Sequence, residues 1–278
     1  MAQTQDLNQK QLRFARLCLA ALQKGHVQGE DGIGTMKEKN LHALLKFYLC
    51  EDPSCHEVPL KETGEQEGQS RMIADVLCNG IAYEVQTGSF FPLKKKVAYY
   101  LEKTSLHLTI VCPLAAVKRI NLLDGQTGEV VSRRKSPKRM TEWDALGQIY
   151  WIKEWVTEKR LTVKLLLLEE EEYRLKDERP QRRGWKRPAQ KFDCYPTQLL
   201  DEIDLCGPED YARFIPQELE QPFAASQYAQ KTGLRGVRVY GAIQILEAAG
   251  LIEKAEKKGR AQLYCALPQE PGFESPDE

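Results

Sequence analysis

An Asn-Gly pair between two short apolar runs sets the register of the strands on either side of it. It lies in the stretch IADVLCNGIAYEVQTG, residues 73–88. Asn-Gly flanked by Val, Ile, Leu and Tyr is the strongest short-range signal for a two-residue β-hairpin. If Asn79 and Gly80 form the turn, counting outward along the two strands places Asp75 directly opposite Glu84.

This register predicts two carboxylates side by side. Directly opposed residues hold their Cβ atoms about 5 Å apart, and like charges at that distance repel. Gln86 shares their face of the hairpin, because side chains alternate with period two. A divalent cation between Asp75 and Glu84 would remove the repulsion, since hard cations prefer carboxylate oxygens. The alternative is an exposed polar face, where water and nearby lysines tolerate the two charges.

The elements around the hairpin predict the order α-β-β-β-α-β over residues 34–112. A helix over 35–49 carries apolar residues at helical spacing, namely Leu41, Leu44, Leu45, Tyr48 and Leu49. Glu38 extends this stripe by one turn, either as a carboxylate that needs a partner or as an acid favoured at a helix start. A helix over 89–103 precedes an apolar strand, which we expect to join the sheet by a crossover connection.

The remaining patterns predict an α+β protein with an α/β core. We expect an opening helix over about 6–24, a hairpin turning at 124–128, a helix over 141–160 and a long strand over 161–175. A basic block follows, with Trp185 among the cations Arg182, Arg183, Lys186 and Arg187. Its composition is typical of a solvated linker or of a loop that faces DNA.

The C-terminal part shows a second pattern, in residues 223–264. A short helix, a turn at 232–234, a longer helix and two strands joined at 257–259 resemble a winged helix-turn-helix domain. The resemblance implies that Arg235 and Arg238 reach base edges from the start of the recognition helix. It also implies that cations of the wing contact phosphates, and these are Lys257, Lys258 and Arg260. Protein contacts or internal packing are the alternative use of such a unit.

The order α-β-β-β-α-β, with its acids, resembles the core of the PD-(D/E)XK nuclease superfamily. Asp75 matches the first acid of that motif, Glu84 the second and Glu38 the acid of the first helix. Gln86 stands where the motif has lysine, and Ala74 where it has proline. The resemblance covers about a third of the chain and implies a restriction-endonuclease-like fold.

The resemblance also implies a metal centre. Mg²⁺ or Mn²⁺ would be held by Asp75, Glu84 and the backbone carbonyl of Val85, and would activate water for phosphodiester hydrolysis. Gln86 would orient the water or a phosphate oxygen, and Glu38 would act through water. The lysines at 94–96 either place a cation near this centre or form a solvated helix face.

Composition adds few constraints. The formal net charge of the 278 residues is zero, which argues neither for nor against nucleic acid. Eight cysteines show no repeating spacing and no apolar segment suits a signal peptide or a membrane helix, so we expect a cytoplasmic protein with free thiols. The cluster CEDPSCH, residues 50–56, lacks the second pair of a zinc site, so zinc is the lesser interpretation.

Together these patterns predict a metal-dependent DNA endonuclease that a winged helix targets to DNA. The alternative is a non-catalytic DNA-binding regulator with an inactive nuclease-like core, which the Gln86 substitution favours. DNA is the expected partner, and a homodimer or a further protein partner is left open. The expected divisions are an N-terminal helix (1–30), a nuclease domain (31–175), a basic linker (176–192), a winged helix (193–267) and an acidic disordered tail (268–278).

Overall fold

The computed structural model describes residues 2–27, 39–60, 72–176 and 189–268. The helices are α1 (Ala2–Val27), α2 (Lys39–Leu49), α3 (Lys94–Lys103), α4 (Glu142–Ile149), α5 (Pro208–Tyr211), α6 (Ala225–Thr232) and α7 (Val237–Ala248). The strands are β1 (His56–Pro59), β2 (Ile73–Cys78), β3 (Ile81–Val85), β4 (His107–Leu123), β5 (Val130–Lys135), β6 (Leu161–Leu175), β7 (Gln190–Leu205), β8 (Phe223–Ala224), β9 (Ile252–Lys258) and β10 (Ala261–Ala266).

A mixed seven-stranded sheet organises the chain. Its strand order is β1-β2-β3-β4-β6-β7, with β5 paired to β4. Strand β4 runs parallel to both β3 and β6, and the other pairs are antiparallel. The expected crossover through α3 is therefore confirmed, because two parallel neighbours cannot be joined by a tight turn. The chain has the expected α+β class.

The hairpin between β2 and β3 has the expected register. Val76 pairs with Tyr83, and the two following pairs lead to a turn formed by Asn79 and Gly80. Both turn residues have positive φ, 52° and 78°, as a two-residue turn of this twist requires. The regular pairing begins at Val76, one residue after Asp75.

Helices cover both faces of the sheet, because the central strand β4 is apolar on both. Leu108, Ile110 and Cys112 pack in a core that also contains residues of α3, α4 and the C-terminal elements. Val111 points the other way, into a core with α1 and α2. Buried side chains on alternating sides indicate a sheet enclosed by helical layers.

Strand β7 corrects the expected division of the chain. It pairs with β6 along its length, from the contact of Leu205 with Val163 to that of Gln190 with Leu175. Residues 190–192 of the expected linker and 193–205 of the expected winged helix therefore belong to the central sheet. The sequence alone does not predict this strand. Its pairing with β6 leaves no local signal, and the residues between the two strands are basic and typical of a linker.

The N-terminal helix is likewise part of the sheet domain. Helix α1 extends beyond the expected range to Val27 and packs against β7 and α2. Phe14 is fully buried, and its ring meets that of Tyr48 edge-on at 5.2 Å between centroids. Residues 28–34, Glu38, residues 177–188 of the basic block and residues 269–278 of the acidic tail lie outside the described residues.

The C-terminal elements have the expected order. Helix α6 ends just before Gly233, whose φ is 70°, and α7 ends before Gly250. Strands β9 and β10 form a hairpin, to which the short β8 adds a third strand. Residues 208–267 are called the C-terminal unit below. Helix α7 packs on α4 and on the 3₁₀ segment that follows it, where a Cβ at Gly241 would be in ordinary van der Waals contact with the ring of Tyr150, at 3.8 Å. The apolar core continues from the sheet into this unit.

A carboxylate whose side chain is 8% exposed joins four elements. Glu202 of β7 accepts hydrogen bonds from the Tyr48 hydroxyl at 2.8 Å and from the Lys164 ammonium at 2.7 Å. Lys10 of α1 contributes a third, at 3.2 Å. Burial acts to raise the pKa of Glu202, but Lys164, Tyr48 and Lys10 together hold that pKa below its usual 4.5.

Replacing Glu202 with Gln is expected to destabilise the fold by about 1–3 kcal/mol at neutral pH, because two ammonium groups lose their charged acceptor. Since the folded pKa is lowered, the carboxylate stabilises the fold above pH 4.5 and loses this effect as the pH falls below it. Urea unfolding measured from pH 7 downward should therefore show the free energies of unfolding of the wild-type and Glu202→Gln proteins converging. Glu218→Gln, at an exposed position, is the control. A difference that stays constant with pH would contradict this explanation.

Candidate active site

The predicted carboxylates lie where the ladder between β2 and β3 stops. Val85 donates its backbone N–H to Asp75 Oδ2 at 2.8 Å. In a continued antiparallel ladder of this register, that N–H would bond to the backbone carbonyl of Ala74. The Asp75 side chain thus replaces a backbone acceptor, which fixes the carboxylate against the neighbouring strand.

A histidine approaches Asp75 from helix α2. Nε2 of His42 lies 3.2 Å from Asp75 Oδ2. Burial acts to raise the pKa of Asp75, but the hydrogen bonds from His42 and from the Val85 N–H lower it below the usual value, and Lys96 adds to this. Asp75 is therefore a fixed anion at neutral pH.

Glu84 is held from the opposite layer by two side chains of α3. The Lys96 ammonium donates to Glu84 Oε2 and the Tyr100 hydroxyl to Glu84 Oε1, both at 2.6 Å. Lys96 and Tyr100 are four residues apart, so they share one face of the helix. Glu84 is only 3% exposed, which makes it one of the few buried acids of the described chain.

The positive charge near Glu84 does not fully offset the cost of burying its carboxylate. Burial raises the pKa of Glu84, and the negative charge of Asp75 raises it further. Lys96 and Tyr100 act in the opposite direction, yet the pKa stays above its usual 4.5. A divalent cation beside Asp75 and Glu84 would therefore be favourable, and their oxygens are of the type that Mg²⁺ prefers. The carboxylates of Asp75 and Glu84 are thus candidate ligands of such an ion.

Gln86 has a different environment from the one expected. Its backbone N–H bonds to the Val111 carbonyl at 2.9 Å, and its side-chain Nε2 donates to the Ser89 carbonyl at 2.8 Å. The amide thus fastens the segment after β3. Glu38 lies outside the described residues, which resume at Lys39.

Two residues of this centre were not singled out from the sequence. His42 is four residues after Glu38, and Tyr100 is four after Lys96, so helical spacing was the available signal. Lys96 itself was one of three lysines with two possible uses. Of the other two, Lys94 instead pairs with Glu154 at 2.6 Å.

The residues expected to bind DNA differ in their surroundings. Arg235 is exposed in the turn before α7, and the exposed cations at the β9–β10 turn are Lys257, Lys258 and Arg260. Arg238 instead donates to Asp144 of α4 at 2.8 Å, so its guanidinium links the two helices. The basic residues Arg182, Arg183, Lys186 and Arg187 lie outside the described residues.

Comparison with known families identifies the family to which the sheet domain belongs. A family model described as a domain of unknown function, DUF8091, matches residues 39–206. The chain belongs to the DUF8091 family. The DUF8091 match begins with α2 and ends just after β7, so it contains the complete sheet and both carboxylates but neither α1 nor the C-terminal unit.

Comparisons with curated proteins and with solved structures gave no match. Among the described residues, no helix is both long and apolar enough to cross a membrane.

Proposed function

We propose that this chain is a metal-dependent DNA endonuclease with a restriction-endonuclease-like core. The observation that carries the proposal is the centre at the end of the β2–β3 ladder. There a buried Glu84 with a raised pKa interacts with an ionised Asp75 and receives Lys96 at 2.6 Å. Buried acids with perturbed pKa values and a specific charged neighbour are typical of catalytic sites.

In this proposal Asp75, Glu84 and the Val85 carbonyl hold Mg²⁺ or Mn²⁺. When bound, such an ion polarises a phosphate oxygen and makes a coordinated water more acidic. The protein's own contribution is to fix its ligands. His42 and the Val85 N–H hold Asp75, while Tyr100 holds Glu84. Ligands fixed in this way need no reorganisation when the substrate binds.

Lys96, rather than Gln86, supplies the positive charge in this proposal. An amide carries no net charge, and that of Gln86 is engaged by the Ser89 carbonyl. The Lys96 ammonium lies next to Glu84 and is partly exposed, so it can also contact a phosphate oxygen of bound DNA. Preorganised cations beside the reacting phosphate stabilise the charge that develops there.

The C-terminal unit targets the enzyme to DNA in this proposal. Lys257, Lys258 and Arg260 at the β9–β10 turn suit phosphate contacts, which give affinity without reading sequence. At the start of α7, Val237 is 87% exposed and Tyr240 is 58% exposed. Apolar side chains at this position of a recognition helix suit the methyl group of thymine in the major groove.

A second candidate is a DNA-binding regulator without catalytic activity. Both oxygens of Glu84 already accept hydrogen bonds, one from Lys96 and one from Tyr100. Gln86 in place of the motif lysine favours the same interpretation. A carboxylate centre of this kind would then serve only to join α3 to the hairpin.

One experiment separates the two candidates. The full chain is incubated with supercoiled, linear, single-stranded and branched DNA, with Mg²⁺, with Mn²⁺ or with a chelator. Cutting that requires metal is expected. Intact DNA would favour the regulator if gel shifts persist in chelator and weaken on replacing Lys257, Lys258 and Arg260 with Ala. Lys159→Ala, at an exposed position outside the C-terminal unit, is the control. DNA that is neither cut nor bound would refute both candidates.

A further inference from the structure

Three cysteines from separate elements meet beside the hairpin turn. Cys50 directly follows α2, Cys55 ends a short 3₁₀ turn, and Cys78 is the last residue of β2. Their sulfur atoms all lie within 4.8 Å of one another. Sequence spacing pairs Cys50 with Cys55 but leaves out Cys78, which only the fold brings to them.

The loop that carries two of these thiols is tightly held. Asp52 accepts a hydrogen bond from the Ser54 N–H at 2.9 Å, and its carbonyl accepts one from the Cys55 N–H at 3.1 Å. Nε2 of His56 lies 2.8 Å from the Cys50 carbonyl oxygen, which closes the loop. Cys78 is fixed by its place at the end of β2, where it pairs with Ile81 of β3. The three sulfurs are therefore positioned before any ligand binds.

We propose that Cys50, Cys55 and Cys78 bind a zinc ion. Tetrahedral zinc with Zn–S bonds of about 2.3 Å needs sulfurs about 3.8 Å apart, which the cluster accommodates. Thiolates are soft ligands that select Zn²⁺ over Mg²⁺, so this site and the carboxylate centre would hold different ions. Each thiol releases its proton to solvent on binding. Cys55 and Cys78 are partly exposed, which leaves the fourth position open to water.

The proposed zinc does not depend on the endonuclease activity. It would join the end of α2 to the turn end of β2, and these two elements carry His42 and Asp75. A disulfide is the competing use of close thiols, but it would engage only two of the three sulfurs. The arrangement of three mutually adjacent sulfurs thus favours a metal over a disulfide.

The full chain is purified in reductant without chelator, and its metal content is measured by mass spectrometry. We expect about one zinc per chain. Replacing zinc with Co²⁺ should give the charge-transfer absorption of cobalt–thiolate bonds. Cys55→Ser is expected to lose the zinc and this absorption, whereas Cys206→Ser, at an exposed cysteine outside the cluster, should keep both.

If Cys55→Ser fails to fold, Co²⁺ titration of the metal-stripped wild-type chain replaces it and is expected to give the cobalt–thiolate absorption. Folded, reduced wild-type protein without zinc and without the cobalt–thiolate band would overturn the proposal. A disulfide within the cluster, found by non-reducing peptide mapping of protein prepared without reductant, would overturn it too. Neither result bears on DNA cleavage, so this proposal and the endonuclease proposal fail separately.

Discussion

Glu84→Gln is expected to reduce metal-dependent DNA cleavage by about a hundredfold or more. The change removes a charged metal ligand, whose contribution of several kcal/mol to the transition state corresponds to such a factor. The amide keeps nearly the same shape, and its oxygen can still accept the Tyr100 hydroxyl that now donates to Glu84 Oε1. The rate at which supercoiled DNA is nicked in Mg²⁺ measures the effect.

The variant should fold, and the reason lies in the sign of the pKa shift. The pKa of Glu84 is raised, so the fold favours its neutral form, and the stability it contributes below pH 4.5 is lost as the pH rises through the folded pKa. A neutral Gln therefore costs little at pH 7. Glu102→Gln, at an exposed acid of the same helix α3, is the matched control. If folded Glu84→Gln cut DNA at the wild-type rate, the carboxylate pair would not be the catalytic centre.

Phe14→Ala is expected to destabilise the whole domain by about 3–5 kcal/mol, the usual cost of removing a fully buried aromatic ring. Phe14 has no exposed surface and joins α1 to Tyr48 of α2 above the sheet. Urea unfolding followed by circular dichroism should show one transition, shifted to lower urea. Leu12→Ala, on the same helix but 63% exposed, should leave the midpoint nearly unchanged.

A different outcome for Phe14→Ala would revise the fold. Loss of α1 alone, with the main transition unmoved, would mean that this helix is a detachable segment. That would restore the expected division after residue 30. A single shifted transition would instead support α1 as part of the layer that covers β7.

Local features of the sequence were sufficient to predict the hairpin. Asn79 and Gly80 specify a turn that fixes the register by itself, so the pairing of Val76 with Tyr83 followed from counting. Helical periodicity in α2 and α3 was equally local. The pairing of β7 with β6 was not, because its partner is reached across a basic segment with no strand-like pattern.

The residues of the candidate site that lie on the hairpin could be predicted from the sequence, whereas those contributed by the helices could not. Its two acids lie on one hairpin, whereas His42 and Tyr100 come from helices in opposite layers. Which helical residue reaches a strand depends on how the helices pack, and spacing alone does not specify this. The meeting of Cys78 with Cys50 and Cys55 escaped prediction for the same reason.

The close packing of α7 on α4 has a consequence for where DNA would be cut. The apolar core runs without a break from the sheet into the C-terminal unit, and the Arg238–Asp144 ion pair adds a polar link at the same contact. Two modules on a flexible tether would reach a range of phosphates. Here α7 and the β2–β3 hairpin contribute to one continuous core, so in the proposed endonuclease the distance between the DNA-reading helix and the carboxylates would be set by the fold. An active enzyme of this build would cut at a constant number of base pairs from the sequence it recognises.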